Sequence, residues 1–254
     1  MGLSLFIGLK ATVLFIAFIF IKEFGLPFIH IPFLHASLVA YLVAIASLPS
    51  VNLPLLLGKS SDGSFPLWSM LIFFPFLIFV RIVVFVRRLR SREPLYTEVS
   101  EGLYVGGWPS SLAELPPGDP AVIDCTCELP RRSISGSGYL CIATWDTRSP
   151  QASQIESAVR WACRKRSQKK PVYVHCAFGH GRSVSVMCAL LVALGLAEDW
   201  KHAEKIIKEK RPCIRMNALH RKNLEEWSKH RLSSKRSGEL DVSSVILSDT
   251  SREK

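Results

Sequence analysis

The sequence predicts an α/β fold, a central mostly parallel sheet flanked by helices, preceded by an N-terminal transmembrane helical region. Three observations carry that expectation. Long apolar runs are confined to the chain before Val86, short strand-like runs alternate with helix-like runs after it, and one loop, HCAFGHGR, joins a run of each kind.

The chain has 254 residues and a mean hydropathy of +0.23, an apolar excess that comes from its first part. Segments 3–21, 28–48 and 66–86 approach the ~20 apolar residues that a bilayer core requires. Each carries interruptions: Lys10 in the first, His30, Pro32 and His35 in the second, Pro75 and Arg81 in the third. Residues 1–90 are therefore expected to form a transmembrane region of two or three helices. A cleaved signal peptide is disfavoured, because Lys10 lies inside the apolar run and no small-x-small site follows Ile21. The run RRLRSR at 87–92 closes the region, and the positive-inside rule then turns the remainder toward the cytosol. The expectation is an integral membrane protein, placed in an endomembrane, with its N-terminus on the opposite side if there are three spans.

Seven cysteines, at 125, 127, 141, 163, 176, 188 and 213, all follow the apolar segments, and their dispersed odd number implies no disulfide framework. Cys125 and Cys127 have no matching Cys/His pair at zinc spacing, so no metal is expected. Of the net charge of +11, +6 falls after Pro94, much of it in RKRSQKK at 164–170 and between Lys201 and Arg215. A solvated helix face explains those runs, and attraction to an anionic leaflet is the sharper alternative. They lack interleaved aromatics for base stacking, so nucleic acid is not an expected partner.

Residues 91–96 read as a linker and 97–232 as the catalytic domain, with 233–254 a disordered polar tail. Strands are expected at GLYVG, AVIDCT, YLCIAT and PVYVHC, which are short and rich in Val, Ile and Tyr. A helix should start at Ser149-Pro150, with Ile155, Val159 and Cys163 on one face. The next, RSVSVMCALLVAL, is apolar on almost every side and stops at Gly195. Asp199 should cap a further helix and Asn217 the last.

The loop from Cys176 to Arg182 leaves a strand end and enters a helix N-terminus, where backbone N–H groups and the helix dipole favour an anion. Ala177, Phe178, Gly179, His180 and Gly181, with Arg182, are the expected phosphate cradle, the two glycines supplying positive φ and Arg182 a planar fork for two phosphate oxygens. The same field should lower the Cys176 thiol and make it a nucleophile toward phosphorus. His175 is expected to fix the loop by hydrogen bonding, and Ser183 to donate its hydroxyl to the departing thiolate. Asp146, at a strand end 30 residues upstream, is the candidate general acid; Asp124, inside an apolar strand, is the competitor and reads as structural.

His175, Cys176, Gly179, Arg182 and Ser183 match HCxxGxxR[ST], and in this the chain resembles the cysteine-dependent dual-specificity phosphatases, a branch of the protein tyrosine phosphatase superfamily. EGLYVGGWPSS is similar to that family's opening strand, and RPCIRMN precedes the final helix as it does there. The resemblance implies a phosphocysteine intermediate hydrolysed by water with Asp146 turned base, and no cofactor. It implies phosphorylated tyrosine, serine or threonine of a protein as substrate, with a phospholipid, phosphoinositide or phosphatidylglycerophosphate, as the alternative. A membrane-tethered pseudophosphatase is the non-enzymatic alternative; it is disfavoured by the intact Cys176 and Arg182. Asn223 and His220 depart from the family, standing where relatives carry glutamine and an aromatic residue.

Overall fold

The computed structural model describes residues 3–25, 28–131, 136, 138–231 and 233. The tail anticipated at 233–254 lies, Ser233 apart, outside the described residues.

Three helices precede the sheet: α1 (Leu3–Glu23), α2 (His30–Ala46) and α3 (Leu67–Arg90). By length and composition α1 and α3 are able to cross a membrane, whereas α2, with 17 residues, falls short. Its expected span shrinks because Phe28 turns with φ +66° ahead of it and the chain leaves the helix at Ser47. Helices α1 and α2 pack as a hairpin through small residues, Ala11 and Ala40 among them, which lets the backbones come close.

Five strands form one sheet in the order β1-β2-β5-β3-β4: β1 (Tyr96–Ser100), β2 (Leu103–Gly106), β3 (Ala121–Asp124), β4 (Tyr139–Cys141) and β5 (Val172–His175). β2, β5, β3 and β4 pair in parallel, and β1 pairs antiparallel with β2 around Gly102, whose φ is +66°. β1 corrects the expectation of a linker over 91–96 followed by a first strand at GLYVG, since Tyr96 already belongs to the sheet. It is an edge strand in which Val99 alone is buried among half-exposed and exposed residues, so it carries little apolar signal.

Helices α4 (Ala152–Ser167), α5 (Arg182–Ala193), α6 (Trp200–Lys210) and α7 (residues 218–231) complete the domain. α4 starts later than Ser149-Pro150 because Gln151 opens it, its backbone N–H bonded to Gln154 Oε1 at 2.9 Å. α5 is buried from Arg182 through Leu191, and Gly195 stops it with φ +73°. Asp199 caps α6 by accepting from His202 N at 2.7 Å, and Asn217 caps α7 by accepting from His220 N at 3.0 Å. The main core lies between the sheet, α4 and α5, with Ile123, Val174, Val159 and Leu190 all fully buried.

The helical region does not hang from a free tether. Lys59, between α2 and α3, reaches into the sheet edge and bonds Asp124 Oδ2 at 2.6 Å and Thr126 O at 2.8 Å. Phe76 of α3 meets Trp145 edge to face with ring centroids 6.3 Å apart, and Arg88 pairs with Glu114 at 3.2 Å. Glu93 binds His180 at 2.7 Å and Pro94 O accepts from Arg211 at 2.9 Å, so the connecting residues are themselves fastened.

Candidate active site

β5 and α5 meet at the loop from Cys176 to Arg182, at the C-terminal edge of the parallel strands where ligands bind in open α/β sheets. The loop is held from outside. Cys176 N donates to Gly106 O, Trp108 N donates to Ala177 O, and Arg215 N donates to His180 O at 2.7 Å. Arg211, almost fully buried, binds Phe178 O at 3.0 Å and Gly179 O at 3.2 Å, turning those carbonyls away from the cradle. Arg211 had been grouped with exposed basic residues; its burial makes it a structural clamp.

Gly179 has φ +75°, and a Cβ there would lie 2.5 Å from the Gly106 backbone, so glycine is required twice over. Gly181 does not have the positive φ expected of it: φ is −132°. It is small because His220 lies against it, 2.8 Å from where a Cβ would stand.

Cys176 is buried, and its sulfur accepts from Gly179 N and from Ser183 Oγ, each at 3.3 Å. Burial pushes the thiol up, but the Arg182 guanidinium, the Ser183 hydroxyl and the backbone N–H groups of Ser183 and Phe178 outweigh it and hold the thiol below its usual value. Ser183 thus stands where it was expected. His175 does less than expected: its Nδ1 lies a long 3.4 Å from Cys176 O and 3.9 Å from Asp124 Oδ1, and burial lowers its pKa against the opposing pull of Asp124.

Arg182 is buried and forked by Glu128, Nη2 to Oε1 at 2.8 Å and Nη1 to Oε2 at 3.1 Å, with Thr144 O a further acceptor at 2.7 Å. Glu128 was not anticipated, although CELP sits close after β3. Asp146 Oδ1 meets Arg182 Nη2 at 3.1 Å, and its side chain, 44% exposed, stands at the rim of the pocket. Asp124 instead sits fully buried among Lys59, Thr126 and Tyr139, which fits the structural role assigned to it.

Cys176, Arg182, Asp146, Phe178, His180 and Gly181 line a pocket of about 180 Å³, together with Arg87, Thr147, Arg215, Asn217 and His220. The fork expected for two phosphate oxygens is taken up, Nη1 by Glu128 and Thr144 O and Nη2 by Glu128 and Asp146, and it is the buried Nε, without a hydrogen-bond partner among the described residues, that is left for a ligand oxygen. His220 is new to the site; burial and the Arg182 charge push its pKa down to about 4, so it is neutral in ordinary buffers. Asn223 bonds Pro150 O at 2.8 Å and lines none of this pocket. Of the two basic runs after Pro94, the later one contributes Arg215 to this pocket, and Lys165, Lys169 and Lys170 of the earlier one do not line it. Glu93, His180 and Cys213 bring potential metal ligands within 4.8 Å of one another, but Arg211 and Arg215 set positive charge against a cation there.

The register carries β3 and β5 in parallel from Asp124 opposite His175, which sets Cys125 beside Cys176; Cys125 N donates to His175 O at 2.9 Å. Cys127 packs instead with Trp145 and the N-terminal helices. Mild peroxide should convert the Cys176 thiolate to a sulfenic acid, which the Cys125 thiol then condenses with, releasing water and forming a disulfide. Mass spectrometry should find the 125–176 bridge; a 127–176 bridge, or none, would refute this pairing.

Residues 118–230 match the family model "Dual specificity phosphatase, catalytic domain". Mouse dual specificity protein phosphatase 22 is 25% identical over 137 residues, covering 53% of this chain and 74% of that protein. Its human counterpart is 26% identical over 101 residues, 39% of this chain and 54% of that protein. Among solved structures, a mouse putative dual specificity phosphatase complexed with zinc tungstate superposes with a TM-score of 0.51 at 16% identity, covering 57% of this chain and 93% of that one. A variant of human DUSP28 superposes with a TM-score of 0.51 at 17% identity, covering 56% and 99%. At such identities the two structures speak for the fold.

Proposed function

We propose that this chain, which carries a cysteine-dependent phosphatase domain of the dual-specificity type, is a membrane-associated enzyme that hydrolyses phosphate monoesters of proteins through a phosphocysteine intermediate. The observation that carries the mechanism is the Cys176 sulfur lying under Ser183 Oγ and a loop N–H, with the unpartnered Nε of Arg182 in the same pocket wall.

The cradle N–H groups and Arg182 hold the three non-bridging oxygens, and the thiolate attacks phosphorus in line. As the P–O bond to the substrate breaks, Asp146 gives its proton to the departing oxygen. Water then attacks the phosphocysteine with Asp146 as base, and the thiolate leaves stabilised by the Ser183 hydroxyl. Glu128 keeps the guanidinium planar to the phosphate and adds no proton transfer of its own.

The expected signature is a leaving-group effect. Asp146→Asn should slow an alkyl phosphate such as phosphoserine peptide by roughly 10²–10³-fold and an activated aryl phosphate by much less, since the latter leaves without protonation. Equal losses on both would remove Asp146 from the acid role. Phospholipid remains the second reading on one observation: Arg87, from the end of apolar α3, forms part of the pocket wall. Rates on phosphopeptides and on phospholipid vesicles, each with wild type and Cys176→Ser, separate the two substrates; no Cys176-dependent rate on either would sink the enzymatic proposal.

A further inference from the structure

Helix α3 has the length and apolar composition of a membrane span, 24 residues, yet the segment just ahead of it and its far end are both fastened to the catalytic domain. Ahead of it, Lys59 is buried against Asp124, Ser61 O accepts from Cys141 N at 3.3 Å, and Gly63 O accepts from Arg131 N at 2.9 Å. At its far end Arg88 pairs with Glu114, and the Arg87 guanidinium lies 4.3 Å from the Phe178 ring centroid. Between them Phe76 packs on Trp145, and Val84 joins Trp108 and Leu129. From Phe76 to Arg88, about 18 Å of helix, the contacts are with the domain.

A span needs its two ends on opposite sides of about 30 Å of hydrocarbon. One folded domain gripping both ends denies that, unless its polar surface is drawn through the bilayer. The face of α3 turned from the domain is nevertheless apolar: Leu71, Ile78 and Phe85, at heptad spacing, are 72%, 46% and 62% exposed. Arg90 and Arg92 are exposed at the end of the helix, beside Arg87 and Arg88, which reach to the domain, and this basic cluster next to an apolar face suits a helix lying in an anionic interface.

We propose that α3 does not cross the membrane but lies in the plane of one leaflet, its outer face in an anionic lipid bilayer and its inner face against the catalytic domain. The mouth of the Cys176 pocket, walled in part by Arg87, then opens beside the lipid surface. The α1–α2 hairpin returns to the side it left, since Ser47 O at its end accepts from Arg148 of the domain at 2.8 Å. The N-terminus and the catalytic domain share one side, where three spans would separate them.

The inference rests on the membrane association proposed above, so the test has separate arms. Full-length protein is bound to sealed phosphatidylcholine vesicles containing phosphatidylserine and floated on a density gradient. Flotation failure overturns both ideas, and a soluble dimer burying the α3 face would be its counterpart. Asp62→Cys, ahead of α3, and Lys205→Cys, on exposed α6, are then treated with an impermeant maleimide, each scored above wild-type background. Equal labelling without detergent is expected; reaction at 62 only after detergent, with 205 already labelled, makes α3 a span and overturns the inference alone. Nitroxides at 71, 78 and 85 should report one common depth in the bilayer, and a steady gradient along the helix would again overturn it.

Discussion

Cys176→Ser should abolish turnover, by at least about 10⁴-fold, as loss of a nucleophile does in other covalent enzymes, while inorganic phosphate still binds. The loop's electrostatics favour an anion on the sulfur, and they act on a thiol whose unperturbed pKa of about 8.5 lies within reach. A serine hydroxyl lies far outside that reach and stays protonated in the same field. The cradle itself is untouched, because the Arg211 clamp, the Arg215–His180 bond and the Glu128–Arg182 fork do not involve the sulfur. Because the folded thiol is held below its usual value, the wild-type rate should rise with pH through a limb below that value and not near 8.5. Phosphate affinity retained within a few-fold, with turnover gone, is the expected pair of measurements. Appreciable activity in Cys176→Ser would remove it as nucleophile; loss of phosphate binding as well would mean that the sulfur also builds the cradle.

The chemistry of this loop was legible because it is local. The thiol, the glycines, Arg182 and the apolar helix behind them are contiguous, and the alternation of strands and helices puts them at one sheet edge. Asp146 was expected on the same edge at a strand end; β4 stops at Cys141, and Asp146 reaches the pocket from the turn beyond it. What stayed hidden is joined across the chain. Glu128 meets Arg182 over 54 residues, Arg211 meets Pro94 over 117, and neither has a local pattern that marks it. Gly181 illustrates a subtler miss: a glycine beside a phosphate loop suggests positive φ, whereas here it makes room for His220, which arrives from a different helix. β1 escaped because an edge strand with one exposed face needs few apolar residues.

The same distinction applies to the N-terminal region, whose apolar composition reads as an anchor while its most consequential residue is a lysine. Lys59 carries no exposed side-chain surface, and neither does its partner Asp124, 2.6 Å away. Burial pushes against both charges, yet each is held ionised by the other: Asp124 is driven below the usual carboxylate range by Lys59, with His175 and the Tyr139 hydroxyl adding to it, and Lys59 is driven up chiefly by Asp124. Lys59→Met should therefore destabilise the folded chain by about 3–5 kcal/mol, the cost of leaving one member of a buried pair alone. Denaturant unfolding of the full-length protein followed by Trp145 and Trp227 fluorescence gives that number. Adding Asp124→Asn should recover part of it, because an amide needs no counter-charge. The pH dependence follows from the signs. Asp124's contribution is complete above its unfolded value near 4 and fades as pH falls through the depressed folded value, and Lys59's fades only above about 10.4. Wild type should thus lose stability in acid, and Lys59→Met should lose less of it there, having little of that pair left to lose. Unchanged stability in Lys59→Met would make the contact incidental; the expected loss makes the loop ahead of α3 part of the catalytic fold, one residue beyond Gly58 and 65 residues before its partner.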